Sequence, residues 1–244
     1  MSARRAVVTG AGRGIGAVIA QRLEEDGYEV ARLDIAGDGV IRCDVTNEDD
    51  VRAAADTVGP VDVLVNNAGI WRFTPLRDTS SEDFLDVIKV NVLGPFQMAR
   101  AFVDGMIARG GGSIVNIVSI AGTNASPAVG SYTPSKAGLL ALTRLMAVEW
   151  GPLGVRCNAV GPGLIPTEGA GVYGDPDVKA ARAAAIPVGR LGTPLDIANA
   201  VAFFASEQSS YVNGQALFVD GGLTQSLMTF LPRPKGVAGP QLKK

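Results

Sequence analysis

The sequence predicts an α/β fold, a parallel sheet covered by helices on both faces. Three observations carry this. Short apolar, β-branched runs alternate with helix-like segments along the chain. The strand-like runs are apolar at successive positions, as expected when both sheet faces are buried. Nearly half of the 244 residues are apolar (47%), enough for a sizeable core.

The elements follow in order. Residues 3–10 (ARRAVVTG) read as a strand, 15–27 as a helix ending at Gly27, and 28–34 (YEVARLD) as a second strand. Residues 40–45 form a short strand. Residues 47–58 form a helix with Asn47 as N-cap and acids in the first turn. Residues 60–69 (PVDVLVNNAG) are a strand running into a loop. The stretch 80–108 is one long helix, or two joined near Gly94-Pro95. A strand at 111–119, a helix at 131–151 and a strand at 154–163 come next. A helix at 193–206 and a strand at 215–222 close the pattern. No linker divides the chain, so residues 1–222 are expected to form one domain. The tail 223–244, rich in Pro, Gly and Lys, is either a flexible end or an arm on a neighbouring subunit.

Composition excludes several functions. A net charge of −2 with mixed signs gives no electrostatic basis for binding nucleic acid or an anionic membrane. No apolar run approaches the ~20 residues of a membrane span. Only Ala6, Val7 and Val8 follow the basic start, too few for the apolar region of a signal peptide, so a cytoplasmic protein is expected. Cys43 and Cys157 lack metal or disulfide spacing and are expected to be buried thiols. The chain has no histidine. Ser-His-Asp and Cys-His catalysis and His-bearing zinc sites are therefore excluded, and proton transfer near neutral pH needs another group with a shifted pKa.

The loop between the first strand and first helix, TGAGRGIG, holds Gly10, Gly12, Arg13, Gly14, Ile15 and Gly16. A helix N-terminus has unpaired N–H groups and partial positive charge, and glycine lets the backbone approach a pyrophosphate. Asp34, with Ile35 beside it, ends the second strand 18 residues past Gly16. A carboxylate there accepts hydrogen bonds from a ribose diol and repels a 2′-phosphate, favouring NAD over NADP. Arg13 and Arg32 are the side chains that could reach a 2′-phosphate instead. Asp44 and Val45, after the third strand, could hold an adenine edge or simply turn into the next helix.

Six motifs in order make the chain similar to the short-chain dehydrogenase/reductase family over residues 3–222. They are T-G-x-x-x-G-x-G at Thr9–Gly16, N-N-A-G at Asn66–Gly69, Asn91, Ser119, Y-x-x-x-K at Tyr132–Lys136 and P-G-x-x-x-T at Pro162–Thr167. The resemblance implies a seven-stranded doubly wound (Rossmann) sheet of order 3-2-1-4-5-6-7, a nicotinamide cofactor and a Ser119-Tyr132-Lys136-Asn91 catalytic set. It further implies that Asn91 holds a water linking Lys136 to solvent and that Lys136 bonds the nicotinamide ribose. Pro162, Gly163, Ile165 and Thr167 would line the carboxamide, and Asn67, Ala68 and Gly69 would pass close to the cofactor.

The residues support the central pair independently. Positions four apart share a helix face, so Tyr132 and Lys136 point the same way. Pro134 falls in the first turn, where its missing N–H costs little. An ammonium about 4 Å from a phenolate gains roughly 4 kcal/mol at an effective dielectric near 20, enough to lower a phenol's pKa by up to about 3. Tyr132 is thus expected to exchange protons near neutral pH, with Ser119 bonding the substrate oxygen. No metal is needed.

Candidate pocket residues are Trp71, Ile120, Asn124, Ala125, Val129 and the segment about 164–190. They are mainly apolar and suggest a secondary alcohol or ketone with an apolar body. One alternative is an NADPH-dependent 3-oxoacyl-[acyl-carrier-protein] reductase. Asp34 opposes it, as does the stretch Cys157–Val178, which lacks basic residues and carries Glu168, Asp175 and Asp177. Another is a catalytically silent cofactor-binding regulator, which the intact Ser-Tyr-Lys set opposes. The helices at 80–108 and 131–151 are more apolar than one sheet face requires, and relatives pair through them, so a homotetramer is expected.

Overall fold

A computed structural model of the chain describes residues 3–167 and 175–226. Seven parallel strands form one sheet in the order β3-β2-β1-β4-β5-β6-β7. They are β1 (Arg4–Thr9), β2 (Tyr28–Asp34), β3 (Ile41–Arg42), β4 (Val63–Asn66), β5 (Gly112–Ile117), β6 (Val155–Pro162) and β7 (Ala216–Val219). The helices are α1 (Gly14–Glu25), α2 (Glu48–Val58), α3 (Ser81–Ile88), α4 (Gly94–Ala108), α5 (Tyr132–Trp150), α6 (Pro176–Ala185) and α7 (Pro194–Ala205).

Strand alternation divides the core in two. Val8, Val65, Val115 and Val160 pack under α1 and α7 with Ile19, Leu23, Ile197 and Phe204. Val7, Leu64, Ile114 and Cys157 turn to the other face, against Val51, Met98, Phe102 and Met146 of α2, α4 and α5. Burying each large aliphatic side chain stabilises the fold by about 1.5–3 kcal/mol, and both thiols lie buried within this core. Desolvation pushes Cys43 up to about 11 and Cys157 up to about 12.

Several boundaries differ from expectation. The third strand pairs only over Leu33↔Ile41 and Asp34↔Arg42, because Asp44 already turns the chain by accepting from Thr46 N at 2.9 Å. The stretch at 80–108 is interrupted one turn before Gly94-Pro95, by a π-helical segment at Lys89–Leu93. Gly94 follows it because a methyl there would lie 2.7 Å from Val45 Cγ2. Helix α6 was not expected. It buries no residue, and in PDVKAARAAA Val178 is the one large apolar side chain, so no run of large apolar residues marks it as an element. The expected tail is ordered at its start: a short turn at Leu223–Gln225 is held by Asp220, whose carboxylate accepts from Gly222 N and Thr224 N, and Ser226 is buried. Residues 227–244 lie outside the described residues, as does Glu168 within the expected pocket segment. Among the described residues no helix is long and apolar enough to cross a membrane.

Candidate active site

The strand order reverses between β1 and β4, and the carboxyl ends of those strands open a crevice at this switch point. The glycine loop forms one wall. Arg13, the N-cap of α1, is extended (φ −159°) and its side chain makes no capping bond. The first N–H groups of α1 are thus left for an anion. Gly10 and Gly14 have φ of 64° and 61°, conformations that other residues rarely adopt. A methyl on Gly16 would overlap Gly10 O and Asn67 Nδ2.

Asn67 itself turns inward. Its Nδ2 donates to Thr9 O (2.9 Å) and Gly10 O (3.0 Å), and the Thr9 hydroxyl accepts from Asn67 N and Ala68 N. The Asn67 side chain thus braces the glycine loop from behind, while its backbone runs on into Ala68 and Gly69. Ala68 and Gly69 do lie at the crevice. A methyl on Gly69 would sit 3.2 Å from Asn91 Oδ1 and 3.4 Å from Lys136 Nζ, which brings three motifs together.

At the far end, Asp34 Oδ2 accepts from Gly12 N (2.9 Å) and Oδ1 from Ile35 N (2.7 Å). Each oxygen keeps a lone pair for a further donor. Ile35 is 64% exposed on the lip. Arg32, one of the two side chains considered for a 2′-phosphate, is paired with Glu24 in bidentate fashion at 3.1 and 2.8 Å. The Arg13 side chain makes no hydrogen bond among the described residues and is exposed. Val45 is buried in the core, so only its backbone N–H could meet an adenine, whereas Asp44 keeps one carboxylate oxygen beyond its turn with Thr46. Ile165 is likewise a core residue, packed against Gly192. Pro162 ends β6 and is buried; Gly163 donates to Val219 O at 3.0 Å. Thr167 lies over the glycine loop, 3.9 Å from a methyl placed on Gly14, rather than only at the carboxamide end.

The opposite wall carries the candidate catalytic set. Ser119 follows β5 in extended conformation and its Oγ accepts from Ala121 N at 3.1 Å. Tyr132 and Lys136 share a face of α5, with Lys136 Nζ 5.7 Å from the phenol ring centroid. Lys136 is 3% exposed and donates to Ile117 O at 2.8 Å. Burial pushes its amine down to about 8. Burial also raises the Tyr132 phenol above its ordinary value, opposed by its hydrogen bond with Ser119. The expected acidification of Tyr132 is thus corrected for the cofactor-free protein. The ammonium is bonded to a backbone carbonyl and is itself disfavoured by burial, so desolvation outweighs its attraction for a phenolate.

Asn91 sits in the π segment, fully buried. Its Oδ1 accepts from Ile70 N (2.9 Å), and its Nδ2 donates to Ile70 O (2.9 Å) and Ser135 Oγ (3.0 Å). Both N–H groups of its amide are committed to protein acceptors, which leaves the second lone pair of Oδ1 and the backbone as the groups that could hold a water. π segments recur at functional sites.

Around the mouth, Ile120 and Val129 are half-buried, Asn124 and Ala125 exposed, and Trp71 41% exposed rather than core. Gly130 N bonds Thr74 O at 3.0 Å, joining the Trp71 loop to the start of α5. Phe73 and Leu76, exposed on the same loop, were missed because no periodicity marks an irregular segment. Asp175 is an N-cap, accepting from Asp177 N at 2.8 Å.

A donor-lined glycine loop at the switch point, facing a half-buried tyrosine and a buried lysine, fits a dinucleotide at one wall and a proton-exchanging phenol at the other. Residues 10–224 match the family model described as "Enoyl-(Acyl carrier protein) reductase". The chain belongs to the short-chain dehydrogenase/reductase family of nicotinamide-dependent oxidoreductases. It is 38% identical to 2-(S)-hydroxypropyl-CoM dehydrogenase 3 of Xanthobacter autotrophicus, over 89% of this chain and 95% of that protein. It is 37% identical to a 3-oxoacyl-[acyl-carrier-protein] reductase of Vibrio cholerae, over 89% and 96%. It superposes on a gluconate 5-dehydrogenase from Burkholderia cenocepacia in complex with NADP and tartrate, with a TM-score of 0.88 and 35% identity over 93% and 97%.

Proposed function

We propose that the chain is an NAD(H)-dependent enzyme interconverting a secondary alcohol with an apolar body and its ketone. The observation carrying the chemistry is the shared face of α5 that places half-buried Tyr132 and buried Lys136 beside Ser119 and the Gly69 backbone. When bound, the nicotinamide accepts or gives the hydride. Ser119 holds the substrate oxygen, and Tyr132 exchanges the proton with that oxygen. The raised phenol arrives protonated, the form that donates to a ketone; removing an alcohol proton is favoured as pH rises. Lys136 carries charge below about pH 8 and orients the ribose. Asn91 supports the backbone beside it.

Two contacts support NAD: Asp34 at the ribose end, and the pairing of Arg32 with Glu24. The apolar reading rests on Trp71, Phe73, Leu76, Ile120 and Val129. The second reading, an NADPH-dependent 3-oxoacyl-[acyl-carrier-protein] reductase, is favoured by the Vibrio relative and by the free side chain of Arg13. Apolar side chains left exposed on α3–α5 and the segment joining them, Leu93, Phe96, Leu145 and Val148 among them, support a homotetramer. The test is fluorescence titration with NADH and NADPH, then an alcohol and ketone panel with Tyr132→Phe as blank. Tighter NADH binding and Tyr132-dependent turnover are expected. Tighter NADPH binding with 3-oxoacyl thioester reduction would replace the first reading by the second.

A further inference from the structure

We propose that Ser135 is a positioning residue, whose hydroxyl holds the Asn91 amide, and through it the Ile70 backbone, in one register against the first turn of α5. Only the predicted effect on turnover rests on the dehydrogenase reading above.

The hydroxyl is completely buried and its two bonds run in a defined direction. Ser135 Oγ donates to Tyr132 O at 2.7 Å. Its lone pair then accepts from Asn91 Nδ2 at 3.0 Å. Asn91 uses its other N–H on Ile70 O and its oxygen on Ile70 N. Two side chains thus join the peptide of Ile70, just past the crevice-lining Gly69, to the carbonyl of Tyr132.

Ser135 matters because Asn91 lies in a π segment, not a regular helical ladder. Its amide must be held by its own bonds, in a fully buried site where a lost partner is costly. The amide oxygen and the Lys136 ammonium lie 3.2 Å and 3.4 Å from one point, the position of a methyl on Gly69. A turned or displaced amide would therefore disturb the backbone beside Lys136. No spacing in the sequence pairs residues 91 and 135.

The experiment is a double-mutant cycle of Ser135→Ala and Asn91→Ala, with Ser135→Thr as the hydroxyl-keeping variant. Two quantities are read on the whole protein: hydrogen exchange at the Ile70 amide without cofactor, and turnover with NAD. Ser135→Ala is expected to speed Ile70 exchange about 10-fold, the scale of one lost buried hydrogen bond. It should lower kcat by roughly 10- to 100-fold while the KM for NAD stays within about 2-fold, as misplacement of a reacting group does. In the Asn91→Ala background it should add almost nothing, and Ser135→Thr should retain wild-type exchange at Ile70. Additive effects in the cycle, or unchanged Ile70 exchange in Ser135→Ala, overturn the proposal. A wild-type protein that turns over no alcohol defeats the dehydrogenase reading instead, and the exchange cycle still decides the role of Ser135.

Discussion

Replacing Lys136 by methionine should leave the fold at least as stable at neutral pH and abolish turnover. Lys136 is 3% exposed, and its one hydrogen bond among the described residues is to Ile117 O. Burial lowers its pKa from 10.5 to about 8. Below pH 8 both folded and unfolded chains carry the proton, so the folded state bears the full cost of the buried charge, about 3 kcal/mol for that gap. Between pH 8 and 10.5 the unfolded chain binds more protons than the folded one, so stability from this group rises with pH. Methionine removes the charge at similar volume, but it strands the Ile117 carbonyl, which costs about 1–3 kcal/mol. The net change at pH 7 is then a gain of about 0–2 kcal/mol. The pH dependence is the sharper readout. Denaturant melts of cofactor-free protein from pH 7 to 9.5 should show the wild type gaining about 2 kcal/mol relative to the variant. The raised phenol of Tyr132 acts in the opposite sense only above its unfolded value near ~10, outside this window. A stability difference that stays constant across these pH values refutes the electrostatic account of the site.

Gly16→Ala would force a methyl into Gly10 O and Asn67 Nδ2, and should abolish NADH binding and cost more than about 2 kcal/mol, read by thermal shift with and without NADH. Asp34→Asn keeps an acceptor for Gly12 N but removes the charge that repels a 2′-phosphate. The ratio of NADH to NADPH affinity should fall at least 10-fold, about 1.4 kcal/mol, and an unchanged ratio would remove Asp34 from cofactor choice. Val148 is 75% exposed on α5, so Val148→Glu should shift the protein to smaller species in sedimentation while leaving the far-ultraviolet circular dichroism unchanged.

Much of the fold was legible because period and punctuation are local. The strands β1, β4, β5 and β6 are buried at successive positions and so on both faces, as their apolar runs suggested. Asn47 caps α2 by accepting from Asp49 N and Asp50 N, as its position before three acids suggested. Failures came where a distant partner decided. The π segment at Lys89–Leu93 looks helical in one dimension. The pairing of Arg32 with Glu24, eight residues upstream on another element, has no spacing signal. The bonds of the Asn67 amide to Thr9 and Gly10, more than fifty residues away, leave no local signal either.

By itself the sequence determined the layered parallel sheet, the glycine loop at the start of α1 and the shared face of Tyr132 and Lys136. Each follows from spacing within one element, where backbone geometry alone sets which side chains coincide. Only the tertiary structure decided the protonation of that pair, the inward turn of Asn67, and the meeting of Gly69, Asn91 and Lys136. Those depend on desolvation and on bonds between segments remote in sequence, and neither leaves a local pattern.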